Sequence, residues 1–246
     1  MKRLVVAAAV LLSTLLGLAA AVAQAGDAGT PHYPDLQTLP ASQIKLQRDH
    51  ATGQRTLLFS NNIANLGNGP LELRPVNNPQ TGTTDAYQRV YTHDANGAWS
   101  LYSETLAGTF AFHPAHNHWH FGAFALYQIH NVAPDGSVGD TVYASSGKVS
   151  FCIEDIVAVD RRLEHSAARK YTSCQQNDTQ GLSVGWGDIY AWNVPGQSLD
   201  VTGLPNGTYY LVSTADPDNL LLETDDGNNA AAVKVSIKGN TAKVVP

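Results

Sequence analysis

Apolar and polar residues alternate in short runs along most of this chain, and no run carries the 3.6-residue period of a long amphipathic helix. Residues 44–47 alternate, 51–54 make a turn, and 55–65 read as the returning strand of a hairpin. The Gly- and Asn-rich residues 65–70 break that run, and 71–74 resume it. Residues 77–86 are polar and read as a loop. Shorter β-rich pieces fall at 88–92 and 99–105, around a turn at Asn96 and Gly97. Residues 121–129 alternate again, with Phe124, either Leu126 or Tyr127, and Ile129 directed inward. The charged stretch 160–171 predicts one or two helical turns with a solvated face. Strands at 208–214 and 230–237 flank an acidic region, 216–229. The pattern predicts an all-β protein, a β-sandwich core of short antiparallel strands with long loops and little helix.

Residues 1–25 have the layout of a secretory signal: Lys2 and Arg3, an apolar run over 5–21, then Ala23, Gln24 and Ala25 as the cleavage site. The run is nearly long enough to span a bilayer, but its Ala-rich end favours cleavage, so no stable membrane span is expected afterwards. Residues 26–246 then form one domain, since about 220 residues suffice for a single core. The expected location is secreted or otherwise extracytoplasmic. The formal charge is -6, and losing Lys2 and Arg3 makes the mature chain more acidic still. Such a surface argues against nucleic acid, which is bound through clustered Lys and Arg. In an oxidising compartment Cys152 and Cys174 are expected to pair, stabilising by about 3 kcal/mol in the chain-entropy model. A copper-thiolate role would instead need a free cysteine.

Residues 113–120 hold four of the nine histidines: His113, His116, His118 and His120. The last three stand at i, i+2 and i+4, which points them to one face of a strand. Imidazole is the commonest metal ligand and suits copper, zinc, iron and nickel. On a straight strand, at roughly 3.3 Å per residue, His116 and His120 would lie about 13 Å apart, beyond the reach of one ion. The segment is therefore expected to be twisted, bulged or looped, with Asn117 and Trp119 turned away. The competing reading is a histidine-rich surface strand with no ligand role.

Two later stretches narrow the chemistry. One contains Gly147, Lys148, Ser150, Phe151, Cys152, Glu154 and Asp155; the other runs from Gln180, Gly181 and Leu182 to Asp188 and Tyr190. With the histidines, in this order, they resemble the catalytic domain of the lysyl oxidase family over about residues 35–237. The resemblance implies a β-sandwich, copper, and a lysine tyrosylquinone cofactor made from the protein's own side chains. It implies His116, His118 and His120 as copper ligands, His113 just before them, and Lys148 and Tyr190 as the quinone precursors. It also implies a disulfide between Cys152 and Cys174. The substrate would be a primary amine or a lysine-containing peptide or protein, with dioxygen as oxidant; the products would be an aldehyde, ammonia and hydrogen peroxide. Lys148 must react as a free amine, so burial or the metal's charge is expected to lower its pKa. The general base is expected to be His113 or Asp188, each of which also has an ordinary role, at a strand end or in a turn.

Glu223, Asp225, Asn228 and Asn229 resemble a further family segment that holds calcium together with an Asp-Leu pair, here Asp35 and Leu36. The same composition also makes an ordinary polar turn. Some family features are missing. Ala115 stands where relatives have cysteine, Leu126, Tyr127 and Gln128 replace a His-Tyr-Asp triplet, and the 156–173 loop is longer than in the animal enzymes. Two other classes stay open: a secreted metal-binding module with a structural ion and no oxidase activity, and a metal-dependent hydrolase. Gly181, Ser183 and Gly185 spell a serine-hydrolase pattern, which counts only if it forms a strand-to-helix elbow.

Overall fold

A computed structural model describes residues 29–246. The expected signal segment, 1–25, lies outside the described residues, as does the cleavage point. Fifteen strands occur in the order β1 (Pro31–His32), β2 (Leu36–Arg48), β3 (Arg55–Asn65), β4 (Leu71–Asn78), β5 (Thr83–His93), β6 (Trp99–His113), β7 (His118–Val132), β8 (Val138–Phe151), β9 (Val157–Ala158), β10 (Gln180–Leu182), β11 (Trp186–Tyr190), β12 (Ser198–Asp200), β13 (Gly207–Ala215), β14 (Ala230–Lys238) and β15 (Thr241–Val244). A single 3-10 turn, η1 (Asp226–Asn228), is the one helical element among the described residues. No helix among them is long and apolar enough to cross a membrane.

The strands make two antiparallel sheets. The larger runs β10-β4-β5-β6-β7-β13-β14-β15, with β1 also on β5 and β8 also on β7; the smaller runs β12-β3-β11-β9, with β2 also on β3. Phe59, Ile63 and Leu199 of the smaller sheet meet Phe110, Phe121, Phe124 and Leu211 of the larger in one buried core. Phe59 and Tyr127 pack edge to face across it, ring centroids 4.8 Å apart. Thus the all-β sandwich read from the alternation is the fold.

Several elements differ from the pattern-based expectation. Only residues 79–82 of the expected 77–86 loop lie outside strands, because β4 and β5 extend toward one another. β8 was not foreseen: most of its residues are exposed, so neither face carries the alternation that marks a half-buried strand. Tyr127, not Leu126, is the buried residue, because register shifts in the β7–β8 pairing break the two-residue period there. The 160–171 stretch forms turns rather than helix. It is tied down tertiarily: Asp155 accepts hydrogen bonds from the backbone N–H groups of Lys170 (2.8 Å) and Tyr171 (3.2 Å).

Candidate metal centre

The hairpin joining β6 to β7 resolves the spacing problem of the histidines. His113 and His118 are direct cross-strand partners, and Ala111 faces His120. Residues 114–117 turn the chain, with the N–H groups of His116 (3.1 Å) and Asn117 (2.9 Å) both donating to the His113 carbonyl. Asn117 takes a left-handed conformation, φ 56°, which asparagine tolerates better than most residues. His116 therefore folds back over the strand instead of standing at its far end. Trp119 points away from the histidines, against Phe112.

The imidazoles converge. His118 Nε2 lies 2.9 Å from His120 Nε2, and His116 Nδ1 lies 3.2 Å from the same atom. Ligand nitrogens about 2.0–2.1 Å from one ion stand about 2.9–3.4 Å apart for tetragonal to tetrahedral angles, so both contacts to His120 Nε2 have the spacing of nitrogens sharing an ion. His113 stacks on His120 with centroids 4.6 Å apart, and its ring nitrogen also lies within 4.8 Å of those of His116 and His120. The nitrogens of His113, His116 and His120 thus converge as one triad, while the two shortest nitrogen contacts, both on His120 Nε2, come from His116 and His118. His113 Nδ1 and His116 Nε2 are buried without hydrogen-bond partners.

Charge supports the same conclusion. Burial lowers the pKa of His116 and His118 and takes that of His120 down to about 3, with the neighbouring imidazoles adding to the effect. His116, His118 and His120 are thereby held toward the neutral form that metal ligation requires. His120, 2% exposed, also has a partner for its other ring nitrogen: Nδ1 lies 3.2 Å from Ser150 Oγ. Such a contact orients the ring, and with Nδ1–H donating to the hydroxyl it leaves Nε2 free for metal. The role of Ser150 was not read from the sequence, although it stands two residues after Lys148 in the quoted motif. A third convergence, Cys152, Glu154 and Cys174, is no thiolate site, because the two sulfurs are bonded to each other. The disulfide expected between Cys152 and Cys174 is present, with Cα atoms 5.7 Å apart.

Tyr190 is held next to this assembly. Its hydroxyl donates to the Cys152 carbonyl and accepts from the Cys152 N–H, both at 2.9 Å, and its ring packs 3.9 Å from that of Phe151. The end of β8 therefore bridges the two features: Ser150 touches His120, and Cys152 clasps Tyr190. Burial pushes the Tyr190 phenol far above its ordinary pKa, with buried Asp188 on the same strand face adding to the effect. Asp188 Oδ2 has no partner, and burial holds this carboxyl well above the usual carboxylate range.

Lys148 is not brought to Tyr190. Its side chain is 48% exposed, and its ammonium is paired with Asp218. The expectation that the fold desolvates this lysine is therefore corrected: β8 is solvent-facing over most of its length, and Asp218 lies within reach of Lys148 there.

The expected calcium residues largely meet. Glu223 accepts from the Leu36 N–H and, at 3.0 Å, from Asn229 Nδ2, while Asp35 accepts from Asn228 Nδ2 at 2.9 Å. The amide oxygens of Asn228 and Asn229 are buried without partners. Asp225 instead accepts from the Gly227 N–H at 2.8 Å, capping η1. The serine-hydrolase pattern has no elbow: it lies between two strands, and Ser183 Oγ donates to Asp155 at 2.7 Å.

A sequence profile described as lysyl oxidase matches residues 96–246, which contain all four clustered histidines. Protein-lysine 6-oxidase of Rattus norvegicus is 30% identical over 132 residues, 53% of this chain and 29% of that protein. Lysyl oxidase homolog 1 of Homo sapiens is 30% identical over 132 residues, 53% of this chain and 21% of the relative. Lysyl oxidase homolog 2 of Gallus gallus is 27% identical over 154 residues, 61% of this chain and 18% of the relative. The chain thus spans less than a third of the length of these relatives. With that profile covering more than half of its residues, the chain belongs to the lysyl oxidase family.

Proposed function

We propose that this protein is a secreted copper- and quinone-dependent amine oxidase, with residues 26–246 as its catalytic domain. The carrying observation is that His118 and His116 each bring a ring nitrogen to His120 Nε2, at 2.9 and 3.2 Å, in a chain of this family. When bound, copper and a lysine tyrosylquinone supply the electrophile and electron sink for converting a primary amine, water and dioxygen to an aldehyde, ammonia and hydrogen peroxide. The substrate class is a lysine side chain or a related primary amine.

Ser150 orients His120, and the Cys152 backbone orients the Tyr190 hydroxyl. Of the two candidate bases, His113 suits proton removal better: it carries an unpartnered ring nitrogen beside the cluster, whereas burial disfavours the carboxylate form of Asp188. Joining Lys148 to a ring carbon of Tyr190 requires Lys148 to leave Asp218, while the Tyr190 hydroxyl is held by the Cys152 backbone. The separation of these two residues is what favours the second reading, a metal-binding β-sandwich that makes no quinone.

Peptide mass spectrometry on protein secreted from copper-replete cells separates the two. The expected result is a covalent link between the peptides carrying Lys148 and Tyr190, with the mass change of quinone formation, lost in Lys148→Arg and Tyr190→Phe along with amine-dependent peroxide. Copper-loaded protein with both wild-type peptides intact and unlinked would establish the second reading.

We also propose that Asp35, Glu223, Asn228 and Asn229, with the Leu36 backbone, hold calcium; the two orphaned amide oxygens beside two carboxylates suit a hard cation. Without calcium, burial pushes Glu223 up to about 8 from an ordinary 4.5. Between those values the folded state keeps a proton that the unfolded chain has released, so stability falls as pH rises through that window. The depressed histidines act oppositely, but only below their ordinary 6.5. The thermal midpoint of calcium-free protein should therefore drop from about pH 6.5 to about pH 8, with calcium raising it more at pH 8 than at pH 5. An equal calcium effect at both would remove Glu223 from the site.

A further inference from the structure

Three of the remaining histidines also come together, far from the first cluster. His32 on β1 lies beside the end of β5, which carries His93; His93 is the cross-strand partner of Trp99 at the start of β6; and His165 reaches over from the 156–173 loop. Their ring centroids are 4.4 Å (His93–His165), 4.9 Å (His32–His165) and 6.1 Å (His32–His93) apart. The proposed copper triad shows 4.9, 5.1 and 5.4 Å. Imidazoles bound to one ion at about 2.0–2.1 Å place their centroids about 4.5–6 Å apart; the His32–His165 spacing falls inside that range and the other two just outside its two ends. The rings are splayed, with interplanar angles of 55°, 75° and 88°, rather than stacked. A half-turn of an imidazole exchanges its nitrogens and carbons without moving its centroid, so the ring positions define the site more firmly than the present facing of each nitrogen.

Other observations point to a ligand. His32 Nδ1 is buried with no hydrogen-bond partner. His165 and Trp99 also line a cavity of about 300 Å³, so one face of the cluster borders open space. β6 separates this cluster from the first by roughly 45 Å of extended chain. His32 and His93 precede residue 96, where the family match begins, so the family assignment does not account for them.

We infer that His32, His93 and His165 form a second metal site, taking a divalent late first-row ion of the zinc or copper(II) class. Such an ion fastens three segments that are otherwise joined mainly at the surface: the N-terminal strand, the β5–β6 hairpin and the long loop. Imidazole-only ligation selects this class over calcium or magnesium. The inference is independent of the oxidase reading.

The test is metal analysis after equilibrium dialysis of chelator-stripped full chain against zinc or cobalt(II), in millimolar calcium to occupy the oxygen site. The expected result is two ions per wild-type chain and one for H93A or H165A. The triple variant H116A/H118A/H120A should keep one, which H93A added to it removes. Loss of a direct ligand should weaken that ion by more than the roughly 10–100-fold cost of losing an outer partner. Nitrogen-type cobalt(II) absorption from the triple variant would report the second site directly, even if H93A failed to fold. A single ion in wild type that H165A retains, or none in the folded triple variant, would overturn the inference and leave the three rings as packing around Trp99.

Discussion

Replacing His120 with alanine should abolish metal capture at the 113–120 cluster and, with it, amine-dependent peroxide release, while the sandwich stays folded. His120 Nε2 is the atom shared by both short nitrogen contacts, at 2.9 Å to His118 and 3.2 Å to His116. Its loss leaves the other imidazoles without a common focus, so affinity should fall by more than the roughly 10–100-fold expected of Ser150→Ala, which removes only its orienting contact. A stability readout separates this from general damage. In the metal-free protein His120 resists protonation down to about 3, whereas the unfolded chain takes up its proton near 6.5. Stability therefore declines as pH falls through that window, and His120→Ala should make the decline shallower. Dialysis with copper and acid titration of unfolding both check it. Full copper retention in the variant would move the centre to other ligands, and the His113 variant would then be compared.

The second large effect concerns the frame around the site. Asp155→Ala should destabilise the protein by about 3–5 kcal/mol, read as a shift of the urea midpoint. The carboxyl is fully buried and accepts from the N–H groups of Lys170, Tyr171 and Ser183, at 2.8, 3.2 and 2.7 Å, and from Ser183 Oγ at 2.7 Å. Alanine strands these donors in the interior, where each unmet group costs about 1–3 kcal/mol before relaxation. The loss is concentrated where the 156–173 loop and β10 meet, close to the Cys152–Cys174 disulfide. A cost below about 1 kcal/mol would mean that water replaces the carboxyl and that the loop is anchored elsewhere.

The sequence by itself determined the class of fold, because a two-residue apolar period survives only where a strand has one face in a core. It also picked out the histidine cluster, since imidazoles at that density advertise a ligand set, and the two cysteines, which pair as expected. What it left undecided depended on contacts between distant residues. β8 was hidden because its faces are mostly wet, and Tyr127 was ambiguous because a register shift, not the local pattern, sets which side chain is buried. The linear spacing placed His116 about 13 Å from His120 on a straight strand; a left-handed Asn117 and a hairpin brought them together. Ser150 became a partner of the histidine cluster only once β8 lay beside β7. Lys148 and Tyr190 are close in motif order yet apart in space, because one lies on a wet strand and the other faces the core. The meeting of His32, His93 and His165 carries no local signal at all, since those residues come from three separate parts of the chain and share only the place where the fold puts them.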